Sequence, residues 1–266
     1  MKKIPAIFLC MLLCLSCKQA KKEAATVEPQ KENWIQLFNG ENLDGWTVKI
    51  TGYPVGENFG NTFRVENGLL RTSYEAYDDS FNSRFGHLYT NKEYSHYKLR
   101  VEYRFTDKHI NNAPGWTYLN GGAMLHAQAP ESMHIDQDFP VSVEAQMLGS
   151  DEKVSRSTGN VCSPGTDIFI DSTMYPDHCA SSTSPAYDSK EWISMEMVVL
   201  GDSIVHHIVE GDTVITYTHL TADGKGINPE TSIVPGALKS GRIALQSEGH
   251  PMEFRKVELL DLSQKK

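Results

Sequence analysis

Apolar and polar residues alternate along much of this 266-residue chain. The clearest segments are Tyr97 to Phe105 and Val141 to Leu148, where apolar side chains occupy one face and charged or polar side chains mostly the other. Successive side chains of a β-strand point to opposite faces, so both segments are predicted to be strands with one buried face. Further strands are predicted at residues 34–38, 62–65, 69–72, 87–90, 121–128, 192–200, 203–209, 213–218, 241–246 and 254–260.

Short turns separate these segments. Pairs such as Asp44-Gly45 and Asn67-Gly68 supply the positive φ angles that tight connections between antiparallel strands require. No stretch combines helical periodicity with capping residues. Many short strands with turns of this kind predict an all-β fold, in which two antiparallel sheets pack as a sandwich or jelly roll.

The first residues have the pattern of an export signal. Lys2 and Lys3 precede an apolar run over residues 4–15, which is too short to span a bilayer and is typical of a secretory signal peptide. The sequence Leu15-Ser16-Cys17 resembles the end of a bacterial lipoprotein signal, which implies a lipid on Cys17; cleavage without lipid is the alternative. We therefore expect a signal at 1–17, a lipid anchor at Cys17, and a place in the cell envelope, on the periplasmic face or the surface of the outer membrane.

Composition defines the rest of the mature chain. Residues 18–33 are rich in Lys, Glu, Ala and Gln and predict a flexible tether, which leaves one domain at 34–262. Without Lys2 and Lys3 the chain has 23 basic and 34 acidic residues, a net charge of −11. An acidic domain without a basic stripe argues against binding to nucleic acid.

Two cysteines remain outside the signal. In an exported domain, Cys162 and Cys179 are most simply a disulfide. It would close a loop of about 18 residues, and the segment from Ser163 to Ala180 is expected to have little regular structure. A free thiol or a metal site is the competing interpretation.

The predicted strand at Val141 to Leu148 carries a carboxylate and a carboxamide on its polar face. Glu144 and Gln146 lie two residues apart, and so side by side. This face is either an ordinary solvated surface or the floor of a binding cleft.

Four separated motifs resemble motifs of the 3-keto-disaccharide hydrolase family and occur in the same order along the chain. The family is also named 3-keto-glucoside 1,2-lyase/3-keto-2-hydroxyglucal hydratase. They are LFNGENLDGW at 37–46, QDFPVSVEAQ at 137–146, NVCSPGT at 160–166 and LQSEGHPMEFR at 245–255. The resemblance covers about residues 34–261. It implies a concanavalin A-like jelly roll that acts on oxidised (3-keto) glycosides. A separate sugar 3-oxidoreductase would make the ketone, because no motif here resembles a nucleotide-binding loop.

The implied chemistry requires one general base, since a ketone at C3 acidifies the hydrogen at C2 and allows β-elimination at C1. Glu144 is the first candidate for this base or for a metal ligand, and His126, His250 and Glu248 are the other catalytic candidates. His126 is expected to share a strand face with Met124 and Gln128. No cofactor is certain, but a divalent ion could chelate the sugar oxygens, with Glu144 and His126 as its ligands.

Side chains that could hold sugar are found on the central strand, on loops and in the later strands. The candidates for substrate binding are Gln146, His178, Arg156, Asn160, Trp116 and His207. Two other functions remain open. A retaining glycoside hydrolase needs two carboxylates about 5–5.5 Å apart, and the central strand offers only Glu144, so the second would have to be Glu248. The third hypothesis is a lectin-like, non-catalytic carbohydrate-binding lipoprotein, because one fold can support either catalysis or binding.

Overall fold

A computed structural model describes residues 32–225 and 234–263 of the chain. The predicted signal at 1–17, with Cys17, lies outside the described residues, as does all but the end of the predicted tether. The domain described below begins at Asn33. No helix in the described ranges is long and apolar enough to cross a bilayer.

The described residues form eighteen strands. In chain order these are β1 (Ile35–Gln36), β2 (Trp46–Ile50), β3 (Phe63–Glu66), β4 (Leu69–Thr72), β5 (Gly86–Thr90), β6 (His96–Phe105), β7 (Asn120–Ala127), β8 (Val143–Leu148), β9 (Asn160–Cys162), β10 (Thr166–Ile170), β11 (Thr173–Met174), β12 (Cys179–Ala180), β13 (Ile193–Leu200), β14 (Ile204–Val209), β15 (Asp212–Ala222), β16 (Gly236–Ala237), β17 (Arg242–Ser247) and β18 (Met252–Asp261). Three single 3-10 turns accompany them, at Phe59–Asn61, Gly115–Thr117 and Pro130–Ser132.

The strands pair antiparallel in two sheets. The larger sheet has the order β11-β10-β15-β14-β13-β6-β18-β4-β3, with β1 added on β18 and β16 on β15. The smaller sheet has the order β12-β9-β8-β7-β17-β5-β2. The prediction of an all-β, concanavalin A-like jelly-roll sandwich is confirmed.

The core lies between the two sheets. Val101 and Tyr103 of β6 contribute to it from the larger sheet, and Val143, Ala145 and Met147 of β8 from the smaller one, all fully buried in one apolar cluster. The alternation in the sequence therefore predicted the buried faces of both strands correctly. It follows that the polar set on β8 lies on the outer face of the smaller sheet.

Four parts of the chain differ from the prediction. The strands β2, β9 and β16 were not predicted, and the segment from Ser163 to Ala180, expected to have little regular structure, contains β10, β11 and β12. These strands are short, and they are stabilised by pairing with distant partners: β2 with β5, and β10 with β15. Such cross-strand partners are not visible in a local sequence pattern.

The predicted disulfide between Cys162 and Cys179 is confirmed. The two residues are directly opposite each other on β9 and β12, with their Cα atoms 4.1 Å apart. Cys162 is in turn opposite Glu144 on β8. The bridge therefore fastens the edge of the smaller sheet next to its polar outer face.

Replacing both cysteines, Cys162→Ala with Cys179→Ala, is expected to lower the free energy of unfolding by about 2–4 kcal/mol, because the unfolded chain gains the freedom of the opened loop. Urea denaturation without reductant measures the change. Reductant should shift the midpoint of the wild-type protein and leave that of the double variant unchanged. Equal midpoints for both oxidised proteins would contradict the stabilising role.

Candidate active site

A cavity of about 640 Å³ lies on the outer face of the smaller sheet. Side chains of β7, β8 and β9, with residues at the end of β17, form its floor, and the turn Gly115–Thr117 and several loops form its walls. The side chains that line it are Trp116, Asn120, Phe139, Glu144, Gln146, Leu148, Arg156, Ser157, Asn160, Cys162, Pro164, His178, Cys179, Ser181, Gln246 and Glu248.

The strand register aligns polar residues across this face. Gln146 is opposite both Gly122 of β7 and Asn160 of β9, and Gln246 is opposite His87 of β5. Leu245 is opposite Ala123, which sets Gln246 beside Gly122. His87 is also opposite Lys49 of β2. Residues at matching positions therefore form one row across six strands, which consists of Lys49, His87, Gln246, Gly122, Gln146 and Asn160.

The carboxyl group of Glu144 lies over the backbone of Gly122. A Cβ atom at position 122 would be 2.4 Å from Glu144 Oε1, so only glycine leaves room for this side chain. Glu144 is 7% exposed and accepts no hydrogen bond from any residue in the described ranges. Burial raises the pKa of this carboxyl to about 8, because the low-dielectric surroundings disfavour its charged form.

A second carboxyl group, that of Glu248, faces the same cavity just after β17. Its Oε1 atom is buried and has no hydrogen-bond partner among the described residues. Burial, and then the charge of Glu144, raise the pKa of Glu248 well above its usual range, while the positive charge of Arg156 opposes this shift. The two carboxyl groups therefore resist simultaneous ionisation.

The guanidinium of Arg156 is fixed in the wall of the cavity. Its Nη2 atom donates to the carbonyl oxygens of Tyr118 and Leu119, the second at 2.8 Å. Its Nε atom is buried and has no hydrogen-bond partner in the described part of the chain. One donor of a cation thus remains available for a ligand.

Buried amide oxygens add acceptors to the floor. Gln246 Oε1 and Asn120 Oδ1 are both buried without a hydrogen-bond partner among the described residues. Gln146 Oε1, by contrast, accepts from Asn160 Nδ2 at 3.3 Å. An unpaired buried polar atom costs free energy until a ligand or water pairs with it, so a cavity that collects several is suited to a ligand rich in hydroxyl groups.

An aromatic platform stands at the mouth of the cavity. Trp116 is 52% exposed, and its ring stacks on Phe85 at 5.8 Å with an interplanar angle of 5°. Phe139 lies 6.4 Å from Trp116 between ring centroids. The supported, exposed face of Trp116 can receive the apolar face of a sugar ring.

His178 lies at the edge of the cavity beside the disulfide. Its carbonyl oxygen accepts a hydrogen bond from the Ser163 amide at 2.9 Å, which fixes the loop. His178, Cys162 and Cys179 form the one cluster with metal-ligand spacing found in the described residues, with ligand atoms within 4.8 Å. Both sulfur atoms belong to the disulfide, so neither is available as a thiolate ligand.

Most of the predicted candidates meet in this cavity, including both Glu144 and Glu248, but three histidines do not. His126 has a φ of 50°, which disrupts the alternation of β7. Its Nε2 atom lies 3.2 Å from the Gly201 oxygen, and its ring is 5.8 Å from that of Tyr97 on the larger sheet. The expectation that His126 shares the face of Met124 was wrong, and the metal pair Glu144 and His126 is not brought together.

His207 and His250 also lie elsewhere. His207 is fully buried, with Nδ1 2.9 Å from the Gly159 oxygen and Nε2 2.9 Å from the Tyr217 hydroxyl. The alternation of β14 predicted correctly that His206 and His207 lie on opposite faces. The face of His207 packs into the core, so the expectation that His207 binds substrate was wrong. His250 lines a separate cavity of about 720 Å³ and accepts a hydrogen bond at Nδ1 from the Leu119 amide.

Sequence reasoning missed seven residues of the cavity lining, and three of them, Asn120, Phe139 and Gln246, contribute polar or aromatic groups described above. For Gln246 a signal was present, because it precedes Glu248 by two positions and thus shares its strand face. Asn120 reaches the site through its pairing with Leu148, and Phe139 reaches it through a loop. Neither placement follows from local sequence.

Comparison with solved structures supports the fold. Two crystal structures, each of a putative glycosyl hydrolase from Parabacteroides distasonis ATCC 8503, superpose with TM-scores of 0.54 and 0.51. The first is 18% identical and covers 87% of this chain and 95% of its own. The second is 17% identical and covers 86% of this chain and 100% of its own. No curated protein matches the sequence.

The family comparison agrees with the four sequence motifs. The model of the 3-keto-α-glucoside-1,2-lyase-like domain matches residues 33–260. The match includes every residue that lines the cavity and 228 of the 266 residues of the chain. The chain therefore belongs to the family of 3-keto-α-glucoside-1,2-lyase-like domains.

Proposed function

We propose that this domain is a carbohydrate-active enzyme that cleaves 3-keto-glucosides by β-elimination, with or without hydration of the product. One observation carries the proposal. Two buried carboxyl groups, Glu144 and Glu248, face the same cavity, and no cation in the described ranges forms an ion pair with either. Such a pair can hold one carboxylate and one carboxylic acid at the same time.

The reaction follows from these two roles. The carboxylate of Glu144 removes the hydrogen at C2, which the neighbouring C3 ketone makes acidic. The electron pair of that C–H bond moves through the enediolate to form the C1–C2 double bond, and the C1–O bond breaks. The carboxylic acid of Glu248 gives its proton to the leaving oxygen. Addition of water at C1, with return of a proton to C2, completes a net hydrolysis.

The raised pKa values support these roles. Burial raises the pKa of Glu144 to about 8, and burial together with the charge of Glu144 raises the pKa of Glu248 well above its usual range, which favours the acid form of Glu248 once Glu144 is ionised. A general base works best when its pKa is near the working pH. A retaining glycosidase also needs one ionised and one protonated carboxyl group. The match to the 3-keto-α-glucoside-1,2-lyase-like domain is what favours elimination over that displacement.

The remaining groups of the cavity would hold the sugar. Trp116 offers its exposed face to the ring, and the unpaired oxygens of Gln246 and Asn120 would accept from hydroxyl groups. The free Nε–H of Arg156 would stabilise negative charge on the enediolate oxygen. His178, Gln146 and Asn160 line the same space.

The cellular setting is part of the proposal. The signal at 1–17 would export the protein, and a lipid on Cys17 would hold it in the cell envelope. A 3-keto sugar arises by oxidation of a secondary alcohol, so a separate oxidoreductase would supply the substrate.

A conventional glycoside hydrolase is the second candidate, since two carboxyl groups do share one cavity. A lectin-like binding protein is the third. Both are outcomes of the following test.

The purified domain should consume methyl 3-keto-glucoside and leave methyl glucoside unchanged, as followed by NMR of the sugar. Glu144→Gln should lower kcat by at least about 100-fold, because the general base is removed. Glu75→Gln, at an exposed surface carboxylate, should retain full activity. Cleavage of methyl glucoside would favour the conventional hydrolase, and binding of both sugars without turnover would favour the lectin.

The pH profile of kcat/KM should be bell-shaped. Because burial raises the pKa of Glu144, the base is protonated at low pH, and the rate should increase as pH rises through about 8. It should decrease again where Glu248, whose pKa burial and the charge of Glu144 raise well above its usual range, loses the proton that the leaving group needs. Initial rates across the pH range measure both limbs. A rising limb centred near pH 4.5 would exclude Glu144 as the base described here.

A further inference from the structure

The polar row continues beyond the cavity to His87 of β5. His87 is 1% exposed, and its Nε2 atom has no hydrogen-bond partner in the described part of the chain. It is directly opposite Gln246, whose Oε1 atom is likewise buried and unpaired. Two adjacent side chains on one sheet face are thus both unsatisfied. Residues that pair directly have Cβ atoms about 4.5–5.5 Å apart, so one small polar group can contact both.

His87 is not among the residues that line the cavity, but its neighbour Phe139 is. The rings of Phe139 and His87 lie 6.0 Å apart. The backbone beside this ring is anchored, since the carbonyl oxygen of Phe139 accepts from Gln137 Nε2 at 2.7 Å. Contact between a ligand in the cavity and His87 would require the ring of Phe139 to rotate about its side-chain bonds.

The imidazole of His87 is held neutral. Burial, and then the charge of Lys49, lower the pKa of His87 to about 3. Lys49 itself donates to the carbonyl oxygens of Ile50 and Ile135, at 3.0 and 2.9 Å. It therefore provides charge without occupying His87 Nε2. In the tautomer with the proton on Nε2, this atom donates one hydrogen bond, which a hydroxyl group can accept.

We propose that His87 and Gln246 together bind one hydroxyl group of the sugar, which makes His87 a specificity-determining residue. The hydroxyl donates to Gln246 Oε1 and accepts from His87 Nε2–H, so a single contact satisfies both buried atoms. The inference rests on the proposed function for the identity of the ligand, a 3-keto-glucoside. A site built to hydrogen-bond a hydroxyl rejects the analogue that lacks it, because its polar groups remain unpaired.

The test measures binding and not turnover. Titration calorimetry on the Glu144→Gln variant gives affinities for methyl 3-keto-glucoside and for its 2-deoxy, 4-deoxy and 6-deoxy analogues. One analogue should bind at least about tenfold more weakly than the parent. Adding His87→Leu should lower the affinity for methyl 3-keto-glucoside by a similar factor and leave the affinity for that deoxy analogue unchanged. The double variant should therefore bind the two ligands equally well.

Two further variants separate recognition from folding. His87→Gln, which retains hydrogen-bonding atoms, should preserve discrimination and serves if the leucine variant does not fold. Tyr89→Phe removes a hydroxyl from the same face of β5, where it donates to the sulfur of Met133, and should change no affinity.

The inference is overturned if adding His87→Leu lowers the affinity for all four ligands equally, or for none of them. It is also overturned if the Glu144→Gln variant binds none of the four ligands. Because binding to the Glu144→Gln variant needs no catalysis, failure of the wild-type protein to cleave 3-keto-glucosides would be a separate result.

Discussion

The cross-strand register of the smaller sheet determines where every polar group on the cavity floor lies. Side chains alternate between faces, so a slip of one residue on β8 would exchange Glu144 and Gln146 with Val143 and Ala145 of the core. The buried apolar face therefore fixes the position of the polar face that lines the cavity. The disulfide at the sheet edge and the glycine at position 122 secure the same arrangement locally.

Burial of two acids that have no ion-pair partner among the described residues is the electrostatic consequence of this arrangement. A folded protein normally avoids such a pair, because each charge loses its hydration and repels the other. Here four buried atoms without a hydrogen-bond partner among the described residues, from Asn120, Arg156, Gln246 and Glu248, belong to the lining of the cavity that also contains the exposed ring of Trp116. Polar groups without protein partners in a shaped cavity are what a binding site for a polyhydroxylated ligand requires, and the same burial gives the carboxyl groups the high pKa values that the proposed elimination needs.

The sequence was sufficient for the fold and for much of the site, for a physical reason. Alternation is a local property, and it placed Glu144 and Gln146 on the face opposite Val143 and Ala145. The alternation of apolar and polar residues did not predict the position of a side chain where an unusual backbone angle or a distant strand partner determines it. A positive φ turned His126 toward the other sheet, and the inner face of β14 became core around His207. Gln246 joined the site through strand pairing, and Phe139 through a loop that only the folded chain brings near.

The central claim is that burial raises the pKa of Glu144 to about 8 and raises the pKa of Glu248 well above its usual range. Carbon-13 NMR titration of their side-chain carboxyl carbons, assigned with Glu144→Gln and Glu248→Gln, measures this directly. The account predicts a first ionisation near pH 8 at Glu144, and a lower pKa for Glu248 in Glu144→Gln, because the repelling charge is gone. Titration of both carboxyl groups near the ordinary glutamate value of about 4.3 would contradict it.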